Sequence, residues 1–136
     1  MDSLTRERRS EVMSRIRGRN TKPEMLVRRT AHALGLRFRL HRKDLPGTPD
    51  LAFPARKTAL FVHGCFWHRH YGCKFAYIPK SNEVFWSRKF ARNVARDQEA
   101  MNGLRRAGWR PIVIWECETK QADLAARIDR LLKEVA

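Results

Sequence analysis

The chain has 136 residues, of which 43% are hydrophobic, so it is long enough to build one domain around an apolar core. The sequence lacks the run of about 18 apolar residues that a membrane span needs, and its first 20 residues lack the apolar segment of a secretory signal. Lysine and arginine number 29 against 14 aspartate and glutamate, a formal charge of +15. We therefore expect a cytoplasmic protein with a polyanionic partner, for which nucleic acid is the first candidate and a basic surface without a specific partner is the alternative.

The N-terminal segment predicts a weakly amphipathic helix over residues 5–17. Its apolar face consists only of Val12, Met13 and Ile16, and the sequence GRNTK breaks it. We interpret residues 1–20 as a basic arm and residues 21–136 as a single domain. An arm that becomes ordered only on its partner would explain so thin an apolar face.

The domain is predicted to begin with a helix from Thr21 to about Leu34, which Gly35 ends. Thr21 and Glu24 have the spacing of a capping box, in which each side chain bonds the other's backbone N–H. Pro23 suits the first turn of such a helix. The capping role alone would account for Glu24.

Three strands are predicted next. The alternation of RFRLHR suggests a strand at residues 37–42, and LPGTPD has the composition of a turn. Two short apolar stretches at 51–53 and 58–63 then form a predicted strand pair.

The second half of the chain predicts a helix at 82–107, a buried strand at 109–116 and an amphipathic helix at 119–134. The apolar stripe of the first helix contains Trp86, Phe90, Val94, Met101 and Leu104. A helix that connects the strands 58–63 and 109–116 implies that they are parallel. We therefore predict an α/β domain with a mixed sheet.

Residues 63–73, HGCFWHRHYGC, contain two of the three cysteines in the chain. An odd cysteine count without an export signal argues against a disulfide framework. Three cysteines and one histidine are a common tetrahedral set for structural zinc. We predict a Zn²⁺ site that pins the irregular loop 64–80 to the sheet, with separate buried cysteines as the alternative. Its ligands would be Cys65, His70, Cys73 and Cys117.

The same region contains side chains suited to phosphodiester hydrolysis. Asp50 begins a strand and could hold a hard divalent ion, to which Val62 could add only its backbone carbonyl. His63 stands near the position where many nucleases have a lysine. His68 is a candidate general base, because a neutral imidazole accepts a proton near pH 7. These residues indicate a metal-dependent hydrolase, although packing or surface roles would also explain the histidines.

Five blocks of the sequence together resemble the very short patch repair DNA mismatch endonuclease family: LPGTPDLAF, FVHGCFWHRH, FW at 85–86, KFARNVARD and GWRPIVIWEC. The resemblance extends from about residue 5 to residue 118. It implies a restriction-endonuclease-like fold with a structural zinc, in which residues 21–136 are the endonuclease domain. It also implies Mg²⁺-dependent nicking of one strand on the 5′ side of the mispaired T in a T:G mismatch, the product of 5-methylcytosine deamination.

The resemblance also implies roles for single residues. Asp50 corresponds to the catalytic aspartate that binds Mg²⁺ with the carbonyl of Val62, and His68 to the catalytic histidine. His63 and Glu24 correspond to supporting residues of the active site. The implied zinc ligands are Cys65, His70, Cys73 and Cys117. The implied DNA contacts are the aromatic wedge Phe66, Trp67 and Trp86, the mismatch-facing Lys89 and Asn93, and Met13 and Ile16 in the other groove.

Some of these assignments have a second interpretation. Core packing would explain Trp86, whereas Phe66 and Trp67 are loop neighbours that cannot easily both face one core. Val62 stands where a family member has threonine, which leaves only the backbone carbonyl for a metal. Two other activities fit the residues, a nuclease of the same fold with broader specificity and a non-catalytic, zinc-stabilised binder of distorted DNA. We expect a monomer, with mismatch-repair proteins as further partners.

Overall fold

A computed structural model describes residues 20–133. The predicted helix at 5–17, with Met13 and Ile16, lies outside the described residues. Within residues 20–133, no helix is both long enough and apolar enough to cross a membrane.

A four-stranded mixed sheet forms the centre of the fold, with the order β1 (Arg39–Leu40), β2 (Leu51–Phe53), β3 (Thr58–His63) and β4 (Arg110–Trp115). The first three strands are antiparallel neighbours, and β3 and β4 are parallel. A 3-10 turn at Pro54–Arg56 lets β2 and β3 pair directly, whereas β4 is reached through a long helix. The predicted mixed α/β fold class is therefore confirmed.

Helices cover both faces of this sheet. They are α1 (Lys22–Ala33), α2 (Glu83–Arg106), the short α3 (Glu116–Thr119) and α4 (Leu124–Lys133). Side chains of α1 and α4 pack with Leu51, Phe53 and Leu60 in one apolar core. Leu104 of α2 packs with Phe61 in a second core on the opposite face. Alternating side chains of β2, β3 and β4 face the two cores, whereas both residues of β1 are exposed.

The turn before Asp50 is pressed against α2. Gly47 has φ +76°, and a Cβ added there would lie 2.6 Å from Cβ of Ala100 and 3.1 Å from the Phe61 ring. Only glycine fits this conformation and this spacing. The close approach fixes where the chain enters β2, and therefore where Asp50 lies.

Three details of the predicted elements are wrong. The first strand is only two residues long, because His41 adopts φ +48° and turns the chain away from the sheet. Val94 is 46% exposed, so it does not belong to the buried stripe of α2. The C-terminal helix, predicted from residue 119, begins only at Leu124, because the chain bends after the short α3 ends at Thr119.

Candidate active site

Asp50 lies at the entrance of β2, beside the end of β3. Its Oδ2 accepts a 2.7 Å hydrogen bond from the backbone N–H of Val62. Val62 lies beyond the last β2–β3 pair, Leu51 with Leu60, so this N–H is available to the carboxylate. Burial and, to a smaller extent, the nearby carboxylate of Glu24 together raise the pKa of Asp50 to about 7, against the opposing effect of the Val62 hydrogen bond.

Glu24 extends from α1 into the same site and is only 2% exposed. Thr21 caps the helix by accepting the Glu24 N–H at 3.3 Å, but the Glu24 carboxylate contacts other side chains. Its Oε2 lies 3.0 Å from Nε2 of His41 and 3.2 Å from the guanidinium of Arg28. Capping therefore does not fully account for Glu24, contrary to the simpler interpretation of the sequence.

Glu24, His41 and Asp50 place one potential ligand atom each within 4.8 Å of one another. Two carboxylates this close and this buried repel each other unless a proton or a cation lies between them. Oxygen ligands of this kind are those that Mg²⁺ prefers. The donor set therefore fits a divalent cation at Asp50.

His63 and His68 form a second cluster of titratable side chains at this end of the sheet. Their rings stack with centroids 3.9 Å apart. Nδ1 of His68 lies 2.6 Å from Oδ2 of Asp97, a residue of α2. A carboxylate in this position holds the hydrogen on Nδ1, so the Nε2 of a neutral ring remains free to accept a proton. Burial, followed by the charge of His68, lowers the pKa of His63 to about 3, which keeps His63 neutral.

The three cysteines and His70 converge where the two parallel strands end. Because His63 of β3 is paired with Trp115 of β4, Cys65 and Cys117 leave the same edge of the sheet two residues later. The sulfurs of Cys65 and Cys117 lie 3.6 and 3.5 Å from Nδ1 of His70.

These distances suit zinc, because sulfur and nitrogen ligands at zinc bond lengths are about 3.6 Å apart in a tetrahedron. The four potential ligand atoms lie within 4.8 Å of one another. Burial raises the pKa of Cys65 to about 12, so the metal-free thiol resists ionisation. The His70 ring is held by stacking on Trp115 at 4.3 Å. The donor set and the spacing therefore fit a structural zinc.

Aromatic side chains line the same cleft as Asp50. The ring of Phe66 lies 5.0 Å from that of Trp67 and 5.7 Å from that of Trp86. Trp67 is only 8% exposed, so the expectation that these loop neighbours would not share one core is wrong. The backbone bends sharply in this loop, which lets both rings join a single aromatic cluster with Phe90 of α2.

Polar residues of α2 border this cluster. The side-chain amide of Asn93 donates to the carbonyl of Trp67 at 3.3 Å, and Nζ of Lys89 lies 5.9 Å from the Trp67 ring. Asn93 therefore holds the loop, and both residues lie next to the aromatic side chains. The structure thus brings all predicted site residues in 20–133 to one end of the sheet, while Met13 and Ile16 lie outside the described residues.

Comparison with known proteins identifies the family. A sequence model described as DNA mismatch endonuclease Vsr matches residues 1–74. The DNA mismatch endonuclease Vsr of Escherichia coli K12 is 37% identical over 80% of this chain and 69% of its own length. The chain belongs to the Vsr DNA mismatch endonuclease family. The family resemblance noted in the sequence is thereby confirmed.

Two other relatives of this Vsr family member are described as Type II nicking enzymes. V.XorIIP of Xanthomonas oryzae pv. oryzae is 52% identical over 96% of this chain and 93% of its own length. V.NmeAIP of Neisseria meningitidis serogroup A is 42% identical over 98% of this chain and 96% of its own length. The protein is therefore a DNA endonuclease, an enzyme that hydrolyses phosphodiester bonds.

Two residues of the site were not identified from the sequence. Asp97 follows Asn93 by four residues, as Asn93 follows Lys89. Residues four apart lie on one face of a helix, so this spacing could have indicated that Asp97 faces the same cleft. His41 has no such signal, because its direction depends on the left-handed turn that ends β1.

Proposed function

We propose that the protein nicks one strand of duplex DNA on the 5′ side of the mispaired T in a T:G mismatch. One observation carries this proposal: Asp50, His68 and the aromatic residues Phe66 and Trp86 all line a single cleft. The aromatic side chains would stack on a disturbed base pair, and the hydrolytic groups beside them would then cut the adjoining DNA backbone. The relatives described as nicking enzymes support cleavage of one strand.

The fold that we propose is restriction-endonuclease-like. Its support is the mixed sheet with helices on both faces, and the carboxylate of Asp50 at the entrance of β2 beside β3. We propose that residues 21–136 form one endonuclease domain and residues 1–20 a basic arm. In that arm, Met13 and Ile16 would contact DNA from the other groove.

The chemistry follows from the groups around Asp50. Asp50 and the carbonyl of Val62 would hold Mg²⁺, which when bound polarises the phosphate. His68 takes a proton from the attacking water at Nε2, while Asp97 fixes the ring by its 2.6 Å contact with Nδ1. His63 supports His68 by stacking. Glu24 adds negative charge beside Asp50 and strengthens cation binding.

Recognition of the mismatch would depend on the loop that the zinc ligands fix. A mispaired step unstacks at lower cost than a paired one, so an inserted aromatic side chain favours mismatched sites. Phe66, Trp67 and Trp86 would form this wedge, and Lys89 and Asn93 would face the mispaired bases. The excess of positive charge supports binding of the phosphate backbone.

A nicking assay tests the proposal. The full-length protein with Mg²⁺ is mixed with labelled duplexes that contain T:G, another mispair or a matched T:A pair. We expect one nick 5′ of the mispaired T and an intact matched duplex. Cleavage of all three duplexes would instead show a broader nuclease, and mismatch binding without a nick would show a non-catalytic binder of distorted DNA.

We further propose that the enzyme acts as a monomer in the cytoplasm, where its DNA substrate lies, and that mismatch-repair proteins bind it. The reduced cysteines that the zinc site requires fit this compartment. Light scattering of the purified protein measures the oligomeric state, and a mass near 16.0 kDa is expected.

Asp97→Asn should lower the nicking rate by about 10- to 100-fold, the usual loss when the partner that orients a reactive histidine is weakened. The amide keeps the size of the side chain but removes its charge. Single-turnover nicking and mismatch binding should both be measured, and binding should not change. Asp129→Asn is the matched control, because Asp129 forms an ion pair with Lys133 on α4, away from the cleft. An unchanged rate in Asp97→Asn would remove Asp97 from the mechanism.

A further inference from the structure

Tyr77 lies at the edge of the aromatic cluster and has no role in the mechanism above. Its ring centroid is 5.1 Å from that of Phe66, and it lines the same cleft as Asp50 and Trp86. Nevertheless, 63% of the residue is exposed. Packing within the protein therefore uses only part of this ring, and a large aromatic surface remains available at the mouth of the cleft.

The backbone that carries Tyr77 is held by Arg69. One guanidinium nitrogen of Arg69 donates to the carbonyls of Phe66 and Tyr77 at 3.1 and 3.0 Å. The other donates to the carbonyl of Ala76 at 2.6 Å. The guanidinium also lies over the Phe90 ring, 3.9 Å from its centroid. A single side chain thus joins the wedge residue Phe66 to the segment of Tyr77 and anchors both on α2.

This arrangement differs from that of the other exposed aromatic residues in the loop. Tyr71 is 99% exposed and does not line the cleft. Phe75 lies beside Lys74 and Lys120, whose ammonium groups are 5.2 and 5.1 Å from its ring centroid. Tyr77 combines exposure, a fixed backbone and a position beside the wedge. A side chain already held in place loses little conformational freedom when a ligand stacks on it.

We infer that Tyr77 stacks on a nucleobase of the DNA next to the mismatch, and that Arg69 is the residue that positions it. The inference rests on the proposed function, because it needs mismatched duplex in the cleft. Any base offers a π face, so the contact strengthens binding without reading the sequence. One lost stacking contact is expected to weaken affinity by about tenfold.

The test measures equilibrium binding in Mg²⁺-free buffer, with every variant built on Asp50→Asn so that no DNA is cut. Fluorescence anisotropy with a T:G duplex should show that Tyr77→Ala weakens binding by about tenfold. Tyr77→Phe, which retains the ring, should bind within about twofold of the parent. Tyr71→Ala is the matched control, since it removes the same side chain outside the cleft. Tyr77→Leu gives the same test should the alanine variant be unstable.

A duplex with 2-aminopurine next to the mismatch reports stacking directly. Its fluorescence should decrease on binding to the parent and to Tyr77→Phe, and much less with Tyr77→Ala. Arg69→Lys keeps the charge but loses the planar guanidinium, whose two nitrogens reach the three carbonyls while the group lies over the Phe90 ring. It should weaken binding at least as much as Tyr77→Ala, since the backbone of Phe66 loses the same support. The double variant Arg69→Lys/Tyr77→Ala should bind the T:G duplex no more weakly than the weaker-binding single variant. Both substitutions remove the same contact of Tyr77 with DNA.

The outcomes separate this inference from the proposed function. A parent that binds T:G and matched duplex equally would contradict the proposed function. If the parent prefers T:G but Tyr77→Ala binds as tightly and changes the 2-aminopurine signal as much, the inference is wrong. Equal loss in Tyr77→Phe and Tyr77→Ala would also overturn it, since the hydroxyl rather than the ring would then make the contact.

Discussion

Asp50→Asn is expected to slow nicking of a T:G duplex by at least about a thousandfold, because it removes the carboxylate proposed to hold Mg²⁺. Binding of the duplex should remain within about twofold of the wild type, since the wedge and the basic surface are unchanged. Single-turnover nicking and anisotropy measure the two effects. Asp44→Asn is the matched control, because Asp44 is exposed and forms an ion pair with Arg42. Normal nicking by Asp50→Asn would show that the site is wrongly assigned.

The same substitution should make the Mg²⁺-free protein more stable. The pKa of Asp50 is raised to about 7 in the folded chain, so between pH 4 and 7 the folded state binds a proton that the unfolded state has lost. Stability contributed by this group therefore falls as the pH rises through that range. Asparagine can still accept the Val62 N–H but carries no charge. We expect a gain of about 1–2 kcal/mol at pH 8, after a reduction for solvent screening.

Thermal unfolding at several pH values checks this expectation. The gain in Asp50→Asn should shrink as the pH falls from 7 toward 4, and it should vanish well below pH 3.8, where the wild-type carboxyl is protonated in both states. Mg²⁺ should raise the melting temperature of the wild type at pH 8 but not that of the variant. A variant that is less stable at every pH would mean that the carboxylate has a structural role.

The local chemistry of the sequence was sufficient to predict the sheet and the cluster of cysteines. Alternating and apolar stretches defined β2, β3 and β4, and the long helix between the last two required them to be parallel. The parallel register then places Cys65 and Cys117 together, because each lies two residues past a paired position. In this case, knowledge of strand order was enough to bring residues 52 positions apart into one candidate site.

The sequence did not predict the directions of several side chains, because those directions depend on turns and on how the helices pack against the sheet. Glu24 matches a capping box, yet its carboxylate lies in one cluster with His41 and Asp50. His41 reaches Glu24 only because its backbone is left-handed. Trp67 was not expected to share one core with its loop neighbour Phe66, but it is buried in the same aromatic cluster. Such features arise from long-range packing, which a local pattern does not encode.

The proposed zinc site would link the stability of the loop 64–80 to mismatch recognition. Residues 64–80 contain few apolar anchors of their own, and several of their large side chains are exposed, among them Tyr71, Phe75 and Tyr77. The wedge residues Phe66 and Trp67 lie between the candidate ligands Cys65 and His70. A metal that fixes those ligands therefore also fixes the wedge and His68, so one site would control binding and catalysis together.

Removal of zinc is therefore expected to abolish both mismatch binding and nicking. The purified protein should contain one zinc per chain, and zinc at about 1,000 times its Kd stabilises the fold by about 4 kcal/mol. His70→Gln should lower zinc affinity strongly and reduce the melting temperature by about 10 °C or more. His32→Gln is the matched control, because His32 is exposed at the end of α1.

Cobalt substitution provides a readout that does not depend on activity. Co²⁺ bound to three thiolates and an imidazole in a tetrahedron gives intense visible bands and a sulfur-to-metal charge-transfer band, and both should be lost or altered in His70→Gln. The DNA preference should return when zinc is restored to the chelated protein. If the zinc-free protein still prefers T:G over matched duplex, the loop holds its shape without metal. The aromatic cluster on α2 would then be what positions the wedge.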